Sequence, residues 1–488
     1  MPSPDTAERI LDKTVRRLAE RGIVIPTYAQ MRNPALVPSR IVERLRAVGL
    51  WDLDPANLFR ISWKNEPVAR GGGYGAVNTL EIPPELSGTR ARIIVLLGVY
   101  FPTGAHKVGA TFGPLVERLV SGLFDPTRQK ALWPSTGNYC RGGAYDSALL
   151  GCKAVAILPE GMSRERFAWL REIGAEVVTT PGGEANVKEI FDKTAELLRQ
   201  GGDGVVAFNQ FCEFGNPRWH YAVTGPAMVE AWKSAARAGE SLSAVVLTQG
   251  SAGTLGAGEY LKEVEPRVRV CAGEAIQCPT LSENGHGSHR IEGIGDKHVP
   301  WVLNARNLDA VVGLDDEAVI RLMRLFNEKT GRQRLRGAGV TNEVVDRLGL
   351  LGISGIANVL GCVKMARHFE LSERDVLVTV ATDSMELYGS RLEEERQSQG
   401  EYSEIDAAVD HERRLLGAGG DNVEELTHAS RRRIHNLKYF TWVEQQGKSV
   451  EELDRQWQPE YWREQWAQVK GWDERIKEIN ERVAAHRG

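Results

Sequence analysis

At 488 residues the chain exceeds one ordinary domain and should divide into two or three structural units. Hydrophobic residues at 42% and charged residues at 26% are the mix of a globular protein, which excludes a largely disordered or fibrous chain. With 61 Lys and Arg against 65 Asp and Glu, the net charge is −4, without the basic excess that nucleic acid or an acidic membrane surface would require.

No uninterrupted apolar run reaches the ~18 residues of a membrane span, so no membrane partner is expected. The opening MPSPDTAERILDKTVRRLAERG carries charges throughout and lacks the apolar stretch of a signal peptide. Cys140, Cys152, Cys212, Cys271, Cys278 and Cys362 are scattered, with no CxxC pair, which fits a reduced, cytoplasmic protein.

Residues 1–75 read as an N-terminal extension, helical but interrupted by Pro26, Pro34, Pro38 and Pro55, and closed by the connector Gly71-Gly72-Gly73-Tyr74-Gly75. From 76 to 390 the pattern changes. Short apolar, β-branched runs at 91–101, 153–159, 175–181, 204–211, 244–250, 268–274 and 376–382 alternate with helical stretches at 163–173, 186–200, 220–238, 315–329 and 355–369. Strands apolar on both faces and alternating with helices predict a mostly parallel sheet covered on both sides, an α/β core with a smaller subdomain at roughly 110–225. Residues 391–488 lose the strand signal. Rich in Glu, Arg and Gln, they carry Trp442, Trp457, Trp462, Trp466 and Trp472, and they read as a helical appendage that buries its indoles against the core or a second subunit.

Ligands of such sheets sit where loops leave the carboxyl ends of the strands. After the first run, Thr103-Gly104-Ala105-His106-Lys107-Val108-Gly109-Ala110 sets a lysine among small and apolar residues. Such a lysine either snorkels to water from a helix start or is a Schiff-base amine in a partly desolvated pocket. Its small neighbours would let a flat cofactor lie close to the backbone. Pro134-Ser135-Thr136-Gly137-Asn138-Tyr139 then enters a small-residue helix; its hydroxyls and amide are either an ordinary N-cap or a donor nest for a carboxylate. Gly250-Ser251-Ala252-Gly253-Thr254 follows a strand and opens a helix, an arrangement suited to a phosphate. It is neither GxGxxG nor GxxxxGK[ST], so nucleotide use is not expected. Ser384, at the end of the last run, could bond a heteroaromatic nitrogen or form a simple turn.

Lysine, donor nest, glycine turn and hydroxyl, in that order on an α/β core, resemble the fold-type II pyridoxal-phosphate enzymes, and within them the cysteine synthase and cystathionine β-synthase branch. The resemblance covers roughly 76–390. It includes Asn78-Thr79-Leu80, PSTGN at 134–138, Asn209-Gln210-Phe211 with Asn216-Pro217 and Thr224-Gly225-Pro226, GSAGTL at 250–255, Glu292-Gly293-Ile294-Gly295, Gly352-Ile353-Ser354-Gly355 and Thr382-Asp383-Ser384. It implies two parallel-sheet α/β subdomains and pyridoxal 5′-phosphate as cofactor. Lys107 would form the internal aldimine, and the likeness of Thr-Gly-Ala-His-Lys at 103–107 to the tryptophan synthase β-subunit would let His106 approach the phosphate from one side. Asn138 would bond the cofactor's phenolic oxygen, Gly250, Ser251, Ala252, Gly253 and Thr254 its phosphate, and Ser384 its pyridine nitrogen. Ser135, Thr136, Gly137, Tyr139 and Gln210 would hold the amino-acid carboxylate, with Gly293 also on the substrate side.

The chain also departs from that branch. Thr-Gly-Ala-His-Lys at 103–107 is closer to the tryptophan synthase β-subunit, yet 133–140 offers no counterpart of that enzyme's catalytic glutamate, so indole chemistry is not implied. Tyr139 replaces a small hydroxyl residue and would reshape the pocket. The tail lacks the βαβ pattern of the regulatory domains on some cystathionine β-synthases.

The activity implied is β-replacement on an L-amino acid through an aminoacrylate, with a thiol or sulfide as nucleophile and Lys107 as general base. A neutral Ser384 hydroxyl at the ring nitrogen suits proton removal coupled to loss of a β-leaving group. Three alternatives stay open: β-elimination as in serine or threonine dehydratases, the pyridoxal-phosphate subunit of a two-protein enzyme, and a scaffold that keeps the fold without catalysis. A homodimer is expected. His286 and His289 lie in a polar loop without a third ligand, so no metal is expected; Gly417–Asp421 reads as a loop, and Arg431-Arg432-Arg433 as a solvated helix face.

Overall fold

The computed structural model describes residues 3–487 apart from 136, 163 and 183–186, and leaves aside the side chains of 165, 166 and 187. Eleven strands occur among the described residues: β1 (Thr79–Ile82), β2 (Arg92–Leu97), β3 (Lys130–Pro134), β4 (Lys153–Pro159), β5 (Glu176–Thr180), β6 (Val205–Ala207), β7 (Ser241–Thr248), β8 (Arg269–Ala275), β9 (Ala310–Leu314), β10 (Asp375–Ala381) and β11 (Val423–Glu425). All seven predicted runs contain a strand; β1, β3, β9 and β11 are additional. Among the helices are α1 (Pro4–Glu20), α2 (Lys107–Val120), α3 (Asn138–Leu149), α4 (Leu255–Val264), α5 (Ile353–His368) and α6 (Pro459–Arg487).

The chain folds as two compact units. The first comprises Met1–Ala76, Tyr100–Thr224 and Gln458–Gly488; the second comprises Val77–Val99 and Gly225–Trp457. The extension before residue 76 is thus part of the first unit, and the tail from 391 divides between the two.

In the first unit a four-stranded sheet runs in the order β5-β4-β3-β6, with every pair parallel. Helices α2 and α3 approach each other closely through glycine. A Cβ at Gly142 would lie 3.0 Å from the Lys107 carbonyl oxygen, and one at Gly143 would lie 2.0 Å from the Trp133 ring. The same unit receives α6, whose Trp462, Trp466, Asp473, Ile476, Ile479 and Val483 recur every three to seven residues and form its buried face. Trp466 stacks on Tyr221 at 5.0 Å. Asp473 accepts the backbone N–H groups of Tyr28 (2.6 Å) and Ala29 (3.1 Å). The Arg218 guanidinium donates to Gln465 and Gln468 of α6, both at 3.0 Å, and pairs with Glu117 near the end of α2.

In the second unit a seven-stranded sheet runs β1-β2-β10-β7-β8-β9-β11. Its five inner strands are parallel, and the edges β1 and β11 pair antiparallel. Strand β2, RIIVLL, is buried throughout, as a central parallel strand should be. The tail contributes β11, which pairs Val423 with Val312 and closes that edge, contrary to the wholly helical appendage expected. Lys438, also from the tail, is fully buried and donates to the carbonyls of Trp301 (2.9 Å) and Leu303 (2.5 Å) and to Gln456 Oε1 (2.7 Å). Burial drives its pKa well below the usual lysine range.

Candidate active site

In the first unit the chain enters α2 through a strained turn. Thr103 has φ 65°, costly for a β-branched residue, and Gly104 follows at 67°. This turn delivers His106 and Lys107 to the first turn of α2. Lys107 is half-buried and His106 fully buried. Burial, reinforced by the Lys107 charge, pushes the His106 pKa down to about 3, so this imidazole is neutral at ordinary pH. Its ring lies 5.5 Å from Trp63 and 5.1 Å from His220. Trp63 Nε1 donates to Thr224 Oγ1 (3.0 Å), and the same hydroxyl is hydrogen-bonded to His220 Nδ1 (3.0 Å). Residues His220–Thr224 form a π-helical turn, a local widening that recurs near functional sites. Two of the small neighbours of Lys107 admit indoles: a Cβ at Gly104 would lie 3.1 Å from Trp51, and one at Gly109 would lie 2.0 Å from Trp219.

The loop after β3 is pinned at Ser135. Its N–H donates to the Ile157 carbonyl of β4 (2.9 Å), and its hydroxyl oxygen accepts from the Gly137 N–H and from Gln210 Nε2, each at 3.3 Å. Gln210 is held in turn by Asn216, whose Nδ2 donates to its carbonyl at 3.0 Å. The structure therefore brings Ser135, Gly137 and Gln210 together, and Asn138 opens α3 beside them. Thr136 lies outside the described residues. Tyr139 packs edge-on against Trp133 at 5.5 Å; its hydroxyl is buried with no hydrogen-bond partner among the described residues, and burial, with Glu213 and Cys212 adding to it, holds its proton firmly.

In the second unit the turn 250–254 joins β7 to α4. Ala252 adopts φ 62°, and Ser251, Ala252 and Gly253 are buried at the start of a ten-residue helix. A left-handed residue in a turn that leads into a helix can turn successive backbone N–H groups into an anion-binding concavity, and the helix dipole adds to it. The strip at 293–295 lies over the end of β7: the Gly295 N–H donates to the Gln249 carbonyl (2.8 Å), and a Cβ at Gly250 would sit 3.2 Å from the Gly293 carbonyl oxygen. Gly293, at φ 91°, takes a conformation that favours glycine. Ser384 is buried just beyond β10. Its neighbour Asp383 accepts from the Tyr388 hydroxyl (2.7 Å), and its backbone carbonyl accepts from the Gly352 N–H (3.0 Å).

Sequence reasoning missed Asn358. On α5 its Oδ1 accepts from the Thr248 N–H and its Nδ2 donates to the Val380 carbonyl, both at 2.8 Å, so it ties together the carboxyl ends of β7 and β10. An amide amid the apolar run ISGIANVLGCV was the available signal.

A profile of the pyridoxal-phosphate dependent enzymes matches residues 80–339. The chain belongs to that family. It is 29% identical over 299 residues to a probable cysteine synthase of Bacillus subtilis, covering 61% of this chain and 88% of that protein. It is likewise 29% identical over 313 residues to the cystathionine beta-synthase of Saccharomyces cerevisiae, covering 62% of this chain and 58% of the yeast protein. The solved structure of a hydrogen sulfide-producing enzyme of Fusobacterium nucleatum superposes with a TM-score of 0.55 at 26% identity, over 68% of this chain and 92% of that one.

The residues present fit the family's cofactor. Each unit carries donors of the right chemistry: an amine beside a neutral imidazole in the first, and in the second a left-handed, helix-capping turn together with a buried hydroxyl at a strand end. Among the described residues there is no group of three or more His, Cys, Asp or Glu placed to hold a metal, and no helix long and apolar enough to cross a membrane. His289 is instead a packing residue, against which a Cβ at Gly295 would close to 2.2 Å.

Proposed function

We propose that the chain catalyses β-replacement on an L-amino acid, exchanging a β-substituent for a thiol or sulfide. The observation that carries the reading is the Ser135–Gln210 hydrogen bond at 3.3 Å, which pairs the loop after β3 with the loop after β6 beside the first turn of α3. Such a pairing suits a substrate carboxylate, and the relatives named cysteine synthase and cystathionine beta-synthase support the reaction class.

Bound pyridoxal phosphate supplies an electron sink that stabilises negative charge at the substrate Cα. The turn 250–254 would hold its phosphate, Asn138 its phenolic oxygen, Ser384 its ring nitrogen and Lys107 its aldehyde carbon. Ser135, Gly137, Gln210 and the backbone at Tyr139 orient the substrate carboxylate, with Gly293 giving backbone access. Lys107 takes the Cα proton, and the neutral His106 beside it keeps a second positive charge away from that amine. Because Ser384 is uncharged, it adds no proton to the ring nitrogen, which favours departure of a β-substituent as the Cα proton leaves.

Lys107→Ala in the purified holoenzyme tests the assignment. Turnover should fall by at least about a thousandfold, as expected when the group that moves the proton is lost, and the absorbance of the lysine-bound cofactor should vanish. Wild-type turnover in this variant would overturn it. The likeness to a hydrogen sulfide-producing enzyme favours, as a second reading, release of sulfide at the same residues; assaying ammonia and sulfide with and without an added thiol separates the two. A reducing, cytoplasmic setting is supported by six cysteines none of which is in a disulfide. A homodimer is supported by the exposed apolar pair Ile405 and Val409, one turn apart, with Phe440 exposed as well.

A further inference from the structure

Asp146 stands on α3 with no exposed surface. One carboxylate oxygen, Oδ2, lies 2.6 Å from Thr111 Oγ1 of α2, and the other is buried with no hydrogen-bond partner among the described residues. Thr111 Oγ1 is also 3.0 Å from the Lys107 carbonyl oxygen and 3.1 Å from that of Val108. A threonine hydroxyl has one hydrogen, yet three oxygens lie within its reach. If Asp146 were ionised it would take that hydrogen, and a buried carboxylate would be left with one hydrogen bond and one bare oxygen, an arrangement of high cost. If Asp146 keeps its own proton, the carboxyl O–H donates to Thr111 and the Thr111 hydrogen goes to the Lys107 carbonyl. Every hydrogen is then placed. A distance of 2.6 Å is ordinary for a carboxylic acid donating to a hydroxyl.

The surroundings favour the second arrangement. Burial raises the Asp146 pKa well above the usual carboxylate range, and only the Thr111 hydrogen bond opposes it. Among the described residues, Tyr139 and Tyr145 on its own helix respond to Asp146, and both are held protonated by burial. Thr111 is the polar group facing it from α2. Gly142 closes the arrangement: a Cβ there would stand 2.9 Å from Thr111 Oγ1 and 3.0 Å from the Lys107 carbonyl.

We infer that Asp146 is a protonated positioning residue that, through Thr111, fixes the backbone carbonyl of Lys107 and so the direction from which its amine works. The positioning role rests on the reading of Lys107 as the proton-moving amine; the protonation state does not.

The first experiment reads that state alone. Below the ordinary aspartate pKa, about 3.9, folded and unfolded chains both hold the proton. Above it the unfolded chain releases the proton while the folded one keeps it, so wild-type stability falls as pH rises. Relative to Asp146→Asn, which cannot ionise, the unfolding equilibrium of the wild-type first unit should shift about tenfold per pH unit towards unfolding between about pH 5 and about pH 8. A difference that stays constant with pH would mean that Asp146 is ionised, and would overturn the inference. The second experiment reads positioning in the holoenzyme. Asp146→Asn keeps a donor to Thr111 and should retain kcat within about threefold. Thr111→Val should lower kcat about tenfold with KM little changed, and Thr111→Ser should restore it. Full kcat in Thr111→Val, with the pH effect intact, would remove the positioning role while leaving the protonated acid in place. Absence of β-replacement in the wild type would instead count against the proposed function.

Discussion

Deleting Gln458–Gly488 removes α6 from the first unit, and the structure sets the size of the effect. Tyr461, Trp462, Trp466, Ile476, Ile479 and Val483 are each at most 5% exposed. At ~1.5–3 kcal/mol for burying each large apolar side chain, these six come to about 9–18 kcal/mol. A whole domain is stable by only about 5–15 kcal/mol. The deletion also strips Asp473 from the Tyr28 and Ala29 backbone and leaves Arg218 without its two glutamine acceptors. The first unit should therefore fail to fold, and the truncated chain should be insoluble or should lose the protease resistance of its first unit. Trp466→Ala offers a graded version: losing an indole stacked on Tyr221 should cost about 3–5 kcal/mol, read as an earlier unfolding transition in urea followed by near-ultraviolet circular dichroism. A soluble truncation whose first unit unfolds at the wild-type midpoint would refute the reasoning and make α6 a dispensable attachment.

Gly109→Ala should disturb the site without touching its polar groups. The new Cβ would fall 2.0 Å from Trp219, a fully buried indole wedged at 5.9 Å from Phe101 and 4.8 Å from His220, so α2 must shift; overpacking of this kind costs ~1–3 kcal/mol or more. Weaker pyridoxal-phosphate binding by absorbance titration is expected, and unchanged affinity would show that the indole yields. Acid sensitivity of the second unit should follow from His289, whose pKa burial depresses to about 4. Its contribution is fully present above about pH 6.5, the unfolded value, and is lost as pH falls towards the folded value, at about 1.4 kcal/mol per pH unit. His289→Gln should flatten that dependence, measured as urea midpoints at about pH 7 and about pH 5; parallel declines in both proteins would contradict it.

The sheets were legible where apolar runs are continuous, as in β2, β4, β7 and β10, because a strand buried on both faces leaves no other pattern. Strand β3, KALWP, opens on a charge and closes on proline, and is a strand because β4 and β6 flank it in parallel. Strand β11, Val-Glu-Glu, has no apolar signature and is recruited by the edge of β9. The turn after β7 and the loop after β3 could be placed ahead of the structure, between strand and helix, because glycine and short polar side chains mark them locally. Asp146 could not, since in YDSAL it looks like any helix-face carboxylate; only the closure of α3 onto α2 at Gly142 takes it out of water. The tail's indoles were legible as packing residues, but not the division of that tail between the two units.

That division bears on how the protein is made. The first unit needs residues from all three of its segments, and the last of these leaves the ribosome only after 77–457 have emerged. The second unit can thus mature during translation, whereas the nascent first unit, its Phe214 and Tyr221 awaiting the aromatic side chains of α6, stays exposed to chaperones and proteases until synthesis reaches that helix.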